Sequence, residues 1–172
     1  MLFVSPQWNN ISNCIQDKWV TSWELKAFFI VHGYVSIAHP HFIKCCFIPF
    51  DFSTHFLEAL RSCYFVLEHG KGLCFFPEGL RSTDGKIGEF KKGFGILAKV
   101  TGAMLLPVAI TGAHEAWPST AKYPKRHPIN IKFGKPLLPG DLEKEGISMG
   151  AQDPYEAICL AARKALVELK NS

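Results

Sequence analysis

Apolar residues recur every three to four positions in four stretches of the chain, and this spacing predicts four helices. The stretches are residues 17–26, 53–70 and 90–100, and a last one that begins after Asp153. Ser53 and Asp153 are residue types that cap helix N-termini, and Pro154 suits the first helical position. Gly70 and Gly102 follow two of the stretches, where glycine commonly ends a helix.

Shorter apolar runs between these helices predict strands. They lie at residues 27–31, 47–50, 72–76, 104–110 and 129–133. Residues 5–13 are mainly polar turn formers, and we expect the first fifteen residues to form a loop. Strands that alternate with helices indicate an α/β fold. We therefore expect a single domain over residues 1–172, with a mixed, mostly parallel sheet flanked by helices.

Composition narrows the function classes. The length of 172 residues suits one domain, and a net charge of +4 is too small to predict nucleic-acid binding. No run reaches the roughly 18–20 apolar residues of a membrane-spanning helix, and the opening residues do not form a secretory signal. The six cysteines form no C-x-x-C pair, which is typical of reduced thiols in a cytosolic protein. His39 and His41 lack further ligands nearby, so we expect no metal site.

Charged residues come directly after one of the predicted strands. The run 72–76 stops at Pro77 and is followed by Glu78, Gly79 and Arg81. An arginine can fork two hydrogen bonds to a phosphate, and a glycine lets the backbone approach closely. Further positive charge follows at Lys86, Lys91 and Lys92. The pattern predicts an anion site, with a surface Glu78–Arg81 pair as the alternative.

The sequence F-P-E-G-L-R-S at 76–82 resembles the phosphate-binding block of the glycerolipid acyltransferases, the PlsC-like or 1-acyl-glycerol-3-phosphate acyltransferase family. L-L-P-V-A-I at 105–110 resembles the fourth block of that family, and F-K-K-G at 90–93 fits the segment between the two. The segments 48–61 and 112–118 look like the branch associated with AMP-forming acyl synthetases.

This resemblance implies acyl transfer from acyl-CoA or acyl carrier protein to a hydroxyl of a glycerol-phosphate or lysophospholipid acceptor. Glu78, Gly79, Arg81 and Ser82 match the block that binds the acceptor phosphate, and Pro107 matches the acyl-donor side. It implies a glycerol-phosphate acyltransferase-like fold and no cofactor besides the thioester co-substrate. It also implies a cytoplasmic protein that can lie peripherally on the inner face of the membrane.

The catalytic H-x-x-x-x-D pair of the family has no counterpart in this sequence. Counting back from the phosphate block places Trp8 and Asn13 where the histidine and aspartate belong, and tryptophan cannot act as a base. Three interpretations remain open. The chain lacks the intact N-terminal catalytic part of the domain, or it binds a phospholipid headgroup without turnover, or it uses another base. His114 is the candidate for that base because it follows the end of a predicted strand.

Overall fold

A computed structural model of the chain describes residues 2–5, 56–70 and 72–172. The predicted helix at 17–26, the predicted strands at 27–31 and 47–50, and the positions of Trp8 and Asn13 lie outside these residues. The described helices are α1 (Phe56–Glu68), α2 (Lys92–Thr101), α3 (Ala113–Ala116), α4 (Pro139–Ser148) and α5 (Pro154–Asn171). The described strands are β1 (Leu2–Ser5), β2 (Leu73–Phe75), β3 (Met104–Thr111) and β4 (Asn130–Phe133).

The strands form a sheet in the order β2-β1-β3-β4. β3 pairs with β4 in antiparallel register, from Val108 opposite Phe133 to Thr111 opposite Asn130. The mixed helix-and-strand fold is confirmed, but the expected mostly parallel sheet is not supported by this pairing. A parallel neighbour needs a crossover, usually through a helix. Between β3 and β4 the chain makes only the short α3 and a loop, and it then returns along β3.

The sequence prediction was wrong for β1. A loop was expected throughout the first fifteen residues, whereas Leu2–Ser5 is a strand that lies between β2 and β3 in the sheet. The segment is too short to show a period of its own. Its strand conformation comes from pairing with neighbours that are distant in sequence, and this is the usual way in which context decides β structure.

The chain divides into two compact units, Met1–Val4 with Cys74–Ser172 and Ser5–Leu73. In the first unit, α5 packs against α2, α4, β3 and β4. Its core contains side chains that are almost wholly inaccessible to solvent, namely Phe94, Leu105, Val108, Ile158 and Leu166. In the second unit, Cys63 and Leu67 are the buried positions of α1 with the lowest exposure. Organisation as one domain over residues 1–172 stays a prediction.

Two helix ends have the capping residues that the sequence predicted. Gly102 ends α2 in the left-handed conformation, with φ of 60°, and its N–H donates to the carbonyl of Ala98. Asp153 caps α5, and its carboxylate accepts a hydrogen bond from the N–H of Tyr155 at 2.9 Å. Both interactions satisfy backbone groups that a helix end leaves unpaired. The predicted stop and start are therefore confirmed.

α4 is an element that the apolar pattern did not predict. Its ten residues contain two glycines, Gly140 and Gly146, and its buried apolar side chains are few. Gly146 lies so close to α5 that a Cβ on it would come within 2.1 Å of the Ala157 carbonyl oxygen. The helix is stabilised by this close packing and not by an apolar stripe of its own.

Candidate anion-binding site

A tight turn carries the charged residues away from the end of β2. The N–H of Gly79 donates to the carbonyl of Phe76 at 3.1 Å, with Pro77 and Glu78 between them. Pro77 is fully buried, and Gly79 has a φ of 72°. Proline at the second position of a turn and glycine at the fourth suit this geometry, because proline fixes its own φ and glycine tolerates a positive one. The turn therefore holds the first residues of the predicted site in one conformation.

Glu78 closes the loop that follows the turn. Its Oε2 accepts a hydrogen bond from the N–H of Gly88 at 2.8 Å. A Cβ on Gly88 would lie 3.3 Å from the same oxygen, so the absence of a side chain helps the close approach. The N–H of Lys91 also donates to the carbonyl of Pro77, at 2.8 Å. Within the described chain Glu78 forms no ion pair with Arg81, and the alternative of a Glu78–Arg81 pair does not hold.

Arg81 is exposed and is oriented by Trp117. Its Nη2 donates a short hydrogen bond to the backbone carbonyl of Trp117, and its guanidinium carbon lies 5.1 Å from the centre of the indole ring. The indole N–H in turn donates to the carbonyl of Ala121 at 2.9 Å. A guanidinium has five N–H donors, so this contact uses only part of its capacity. The guanidinium of Arg81 is therefore held by one hydrogen bond and by its contact with the indole ring, while most of its N–H donors remain available.

Ser82 belongs to a small turn within the same loop. Its hydroxyl donates to Oδ1 of Asp84 at 3.1 Å, and the N–H of Lys86 donates to the same oxygen at 3.0 Å. The backbone bond from Lys86, followed by the Ser82 hydroxyl, lowers the pKa of Asp84 below its usual value. Asp84 is thus a carboxylate that the structure adds to the predicted set.

The lysines near the site are not equivalent. Lys92 forms an ion pair with Asp153, which raises the pKa of Lys92 and lowers that of Asp153. Lys86 Nζ lies 3.9 Å from Asp84, and both side chains are largely exposed. Part of the expected positive potential is therefore balanced by carboxylates, whereas the described contacts of Arg81 are with the neutral groups of Trp117.

The structure also brings His114 to this loop. A Cβ built on Gly85 would lie 3.3 Å from two carbon atoms of the His114 ring, so the ring packs directly on Gly85. A small cavity of about 60 Å³ beside it is lined by residues that include Thr111, Glu115 and Lys170. Pro107, by contrast, is buried within β3, and its carbonyl accepts a hydrogen bond from Gly134 at 2.8 Å.

Two basic residues of α5 hold the loop and were not predicted. Arg163 donates from Nε to the carbonyl of Gly88 at 2.8 Å and from Nη2 to the carbonyl of Ile87 at 3.0 Å. Lys170 donates to the carbonyl of Gly85 at 2.7 Å. The two side chains lie seven residues apart, which places them on one face of a helix. That spacing was the signal available in the sequence, although it does not identify the partner.

Comparison with known proteins bears on what this arrangement does. A family model described as Acyltransferase matches residues 30–111. The crystal structure of the 1-acyl-sn-glycerophosphate (LPA) acyltransferase PlsC from Thermotoga maritima resembles this one, with a TM-score of 0.53 and 27% identity. The likeness covers 67% of this chain and 44% of that one. The chain is PlsC-like. The predicted family resemblance is confirmed, whereas the association with the acyl-synthetase branch stays a prediction.

Curated proteins of similar sequence are named for the same acyltransferase activity. A 1-acyl-sn-glycerol-3-phosphate acyltransferase from Cocos nucifera is 36% identical over 83 residues, which are 48% of this chain and 27% of that protein. The chloroplastic LPAT1 enzyme of that name from Arabidopsis thaliana is 33% identical over 82 residues, 47% of this chain and 23% of that protein. The chain thus spans about a quarter of the length of these curated relatives.

The matched segment contains part of the site described above. Glu78, Gly79, Arg81, Ser82 and Pro107 all lie within residues 30–111. The chain therefore contains a glycerol-phosphate acyltransferase-like domain. His114 and the two basic residues of α5 lie outside the matched segment, and their contacts with the loop are observations on this structure alone.

Proposed function

We propose that the loop of residues 77–88 binds the phosphate of a glycerol-phosphate or lysophospholipid acceptor, as the acceptor site of an acyl transfer. The orientation of Arg81 by Trp117 carries this proposal, because a bidentate phosphate contact needs a guanidinium fixed in one plane. Gly79 permits close approach of the backbone, and Ser82 offers a hydroxyl once its hydrogen bond to Asp84 is exchanged for one to the phosphate. The names of the similar proteins support the same acceptor class.

The donor in this proposal is an acyl thioester, either acyl-CoA or acyl carrier protein, and no other cofactor takes part. In acyl transfer the acceptor hydroxyl loses its proton as it attacks the thioester carbonyl, and the thiol leaves. A general base must accept that proton. The position of Pro107 in β3 would belong to the donor side. The proposal includes no intact catalytic histidine–aspartate pair. His114 is the candidate general base to test, because its ring packs on Gly85 of the loop.

Binding without turnover is the second candidate function, and the missing H-x-x-x-x-D pair favours it. A module of this kind would hold a phospholipid headgroup through the same Arg81 contact. The two candidates therefore share a binding step and differ in chemistry. An activity assay separates them, whereas a binding assay tests what they have in common.

We also propose that the protein is cytoplasmic and can lie peripherally on the inner membrane face. No helix among the described residues is long and apolar enough to cross a membrane. A basic loop at residues 122–127 carries Tyr123, which is 70% exposed, with the ammonium of Lys122 5.4 Å from its ring centre. Such a loop suits contact with anionic headgroups. Co-sedimentation with phosphatidylglycerol vesicles, lost when Lys122 and Lys125 are both changed to Gln, would support this placement.

The test of the central proposal is titration of the purified chain with short-chain lysophosphatidic acid by calorimetry. We expect Arg81→Ala to weaken binding by about tenfold or more, which corresponds to roughly 1.5 kcal/mol for a charge-assisted contact. Lys144→Ala is the matched control, because Lys144 is an exposed cation near Asp141 on α4. Equal affinity of the wild type and the Arg81 variant would overturn the proposal.

An assay with acyl-CoA and lysophosphatidic acid then decides between the two candidates. Turnover at background level with intact binding shows that these 172 residues bind the acceptor without turnover. Turnover well above background that is lost in His114→Ala would establish an enzyme with an alternative base.

A further inference from the structure

The loop that leads from the anion site into α2 runs antiparallel along α5. Later loop residues contact positions progressively nearer the N-terminal end of the helix. The contacts join Gly85 to Lys170, Ile87 and Gly88 to Arg163, Lys91 to Cys159, and Lys92 to Asp153. Every one of these contacts involves a side chain of α5 or its cap, and four of the five loop residues contribute only backbone carbonyls to them.

The lengths of the two segments match. Seventeen residues separate Asp153 from Lys170, which is about 26 Å along a helix at a rise of roughly 1.5 Å per residue. Seven residues separate Gly85 from Lys92, which is about 24 Å for a nearly extended chain. A nearly extended loop is therefore long enough to follow the helix over this span.

One peptide unit of the loop is held from both sides. The carbonyl of Ile87 accepts from Arg163, and the N–H of Gly88, in the same peptide unit, donates to Glu78. A trans peptide is planar with its C=O and N–H pointing in opposite directions. Arg163 therefore directs the Gly88 N–H away from α5 and toward the Glu78 carboxylate.

A second peptide unit repeats the arrangement. The carbonyl of Gly85 accepts from Lys170, and the N–H of Lys86 donates to Asp84. In each case a cation of α5 binds the carbonyl and a loop carboxylate binds the N–H. Between these two carboxylates in the sequence lies Arg81, the proposed phosphate ligand.

We propose that Arg163 and Lys170 are positioning residues for the anion site. They orient two peptide planes of the loop, and through those planes they fix Glu78 and Asp84, which flank Arg81 in the sequence. They do not touch the acceptor themselves. This inference rests on the proposed function for its consequence in binding, but the peptide orientation it describes exists without ligand.

The first test measures amide hydrogen exchange by NMR on the ligand-free chain. In Arg163→Met we expect the Gly88 amide to exchange at least tenfold faster, with the Lys86 amide little changed. In Lys170→Met we expect the reverse. Lys164→Met is the matched control, because Lys164 pairs with Glu145 and not with the loop. A conservative Arg163→Lys variant should restore part of the protection at Gly88, because an ammonium can still donate to one carbonyl.

The site-specific pattern separates positioning from general support of the fold. A merely structural role would accelerate all the loop amides together as the melting temperature falls. That result, or unchanged Gly88 exchange in Arg163→Met, would overturn the proposal. If Arg163→Met does not fold, the comparison of Gly88 exchange in Arg163→Lys and Lys164→Met decides instead, and equal protection in these two overturns it.

The second test uses glycerol 3-phosphate titration of the same variants. We expect at least fivefold weaker binding in Arg163→Met and Lys170→Met and no change in Lys164→Met. If the wild type itself does not bind, the proposed function fails while the exchange data still judge the peptide orientation. If the exchange rises at Gly88 but affinity is unchanged, the positioning role in binding is overturned and the proposed function stands.

Discussion

The guanidinium of Arg81 lies 5.1 Å from the centre of the Trp117 indole ring and donates to the carbonyl of the same residue. One residue thus orients Arg81 through both its side chain and its backbone. The two contacts have different sensitivities to mutation, because only the ring depends on the identity of the side chain. This difference makes the stacking contact testable by itself.

We expect Trp117→Leu to weaken lysophosphatidic acid binding two- to fivefold. A cation–π contact at an exposed site contributes about 0.5–1 kcal/mol, and the carbonyl contact survives the substitution. Trp117→Phe is the matched control: like the leucine variant it lacks the indole N–H that bonds Ala121, but it keeps an aromatic face. Calorimetry should rank the affinities wild type, Phe, Leu in descending order. Equal affinities for the Phe and Leu variants would count against a role for stacking.

Substitutions of Glu78 should separate its role as a hydrogen-bond acceptor for Gly88 from the effect of its negative charge. In Glu78→Gln a side-chain oxygen can still accept from the Gly88 N–H, while the negative charge beside the proposed phosphate site is removed. We expect its affinity for glycerol 3-phosphate to equal or exceed that of the wild type. In Glu78→Ala the contact with the Gly88 N–H is lost, and we expect binding to weaken about fivefold or more. A similar loss in both variants would instead indicate that the charge itself contacts the ligand.

The contact between α2 and α5 leaves no room for a side chain at Gly95. A Cβ there would lie 2.1 Å from the carbonyl oxygen of Tyr155, which is backbone and cannot move aside cheaply. We expect Gly95→Ala to lower the free energy of unfolding by about 1–3 kcal/mol. In Gly140→Ala the added Cβ meets nothing within 4 Å, and we expect a change of about 0.4–1 kcal/mol in the stabilising direction.

Urea denaturation measures both glycine variants under one condition. The sign of the difference between them is the decisive quantity. A Gly95→Ala variant as stable as the wild type would show that α2 does not approach α5 as closely as described here.

The ion pair of Asp153 with Lys92 predicts a pH dependence at the start of α5. The hydrogen bond and charge of Lys92 lower the folded-state pKa of Asp153. Its contribution to stability is therefore present above the unfolded pKa, about 3.9, and is lost as the pH falls through the lower folded value. We expect Asp153→Asn, which can still cap the helix, to show a flatter decline in urea midpoint below pH 4 than the wild type. Parallel curves for the two proteins would exclude this contribution.

The helices with strong periodicity and local capping were predictable from sequence. α2 and α5 fall at the expected places because Gly102 and Asp153 act on backbone groups only a few residues away. β1 and α4 were not predictable, since the first pairs with distant strands and the second depends on Gly146 lying against Ala157. Local patterns carry no information about such partners.

In the candidate site, too, the local features were predictable from sequence and the long-range contacts were not. Glu78, Gly79 and Arg81 were identified as a group because they share one short turn. The contacts that hold them come from Trp117, Arg163 and Lys170, which are 36 to 85 residues away from their partners. A basic residue on a helix gives no sign in sequence that it binds a loop carbonyl instead of water or an acidic neighbour. The roles of these residues follow only from the three-dimensional arrangement.

The antiparallel course of the loop along α5 has a consequence for the order of folding. The hydrogen bonds from Arg163 and Lys170 join residues 75, 76 and 85 positions apart, and we expect such long-range contacts to form late in folding. At a synthesis rate of about 5–20 residues per second, the loop waits roughly 4–17 s for the helix residues that orient it. During that interval its carbonyls face water. The anion site is thus completed only when the later helix docks, and nascent chains that stop short of α5 should be unable to hold a phosphate.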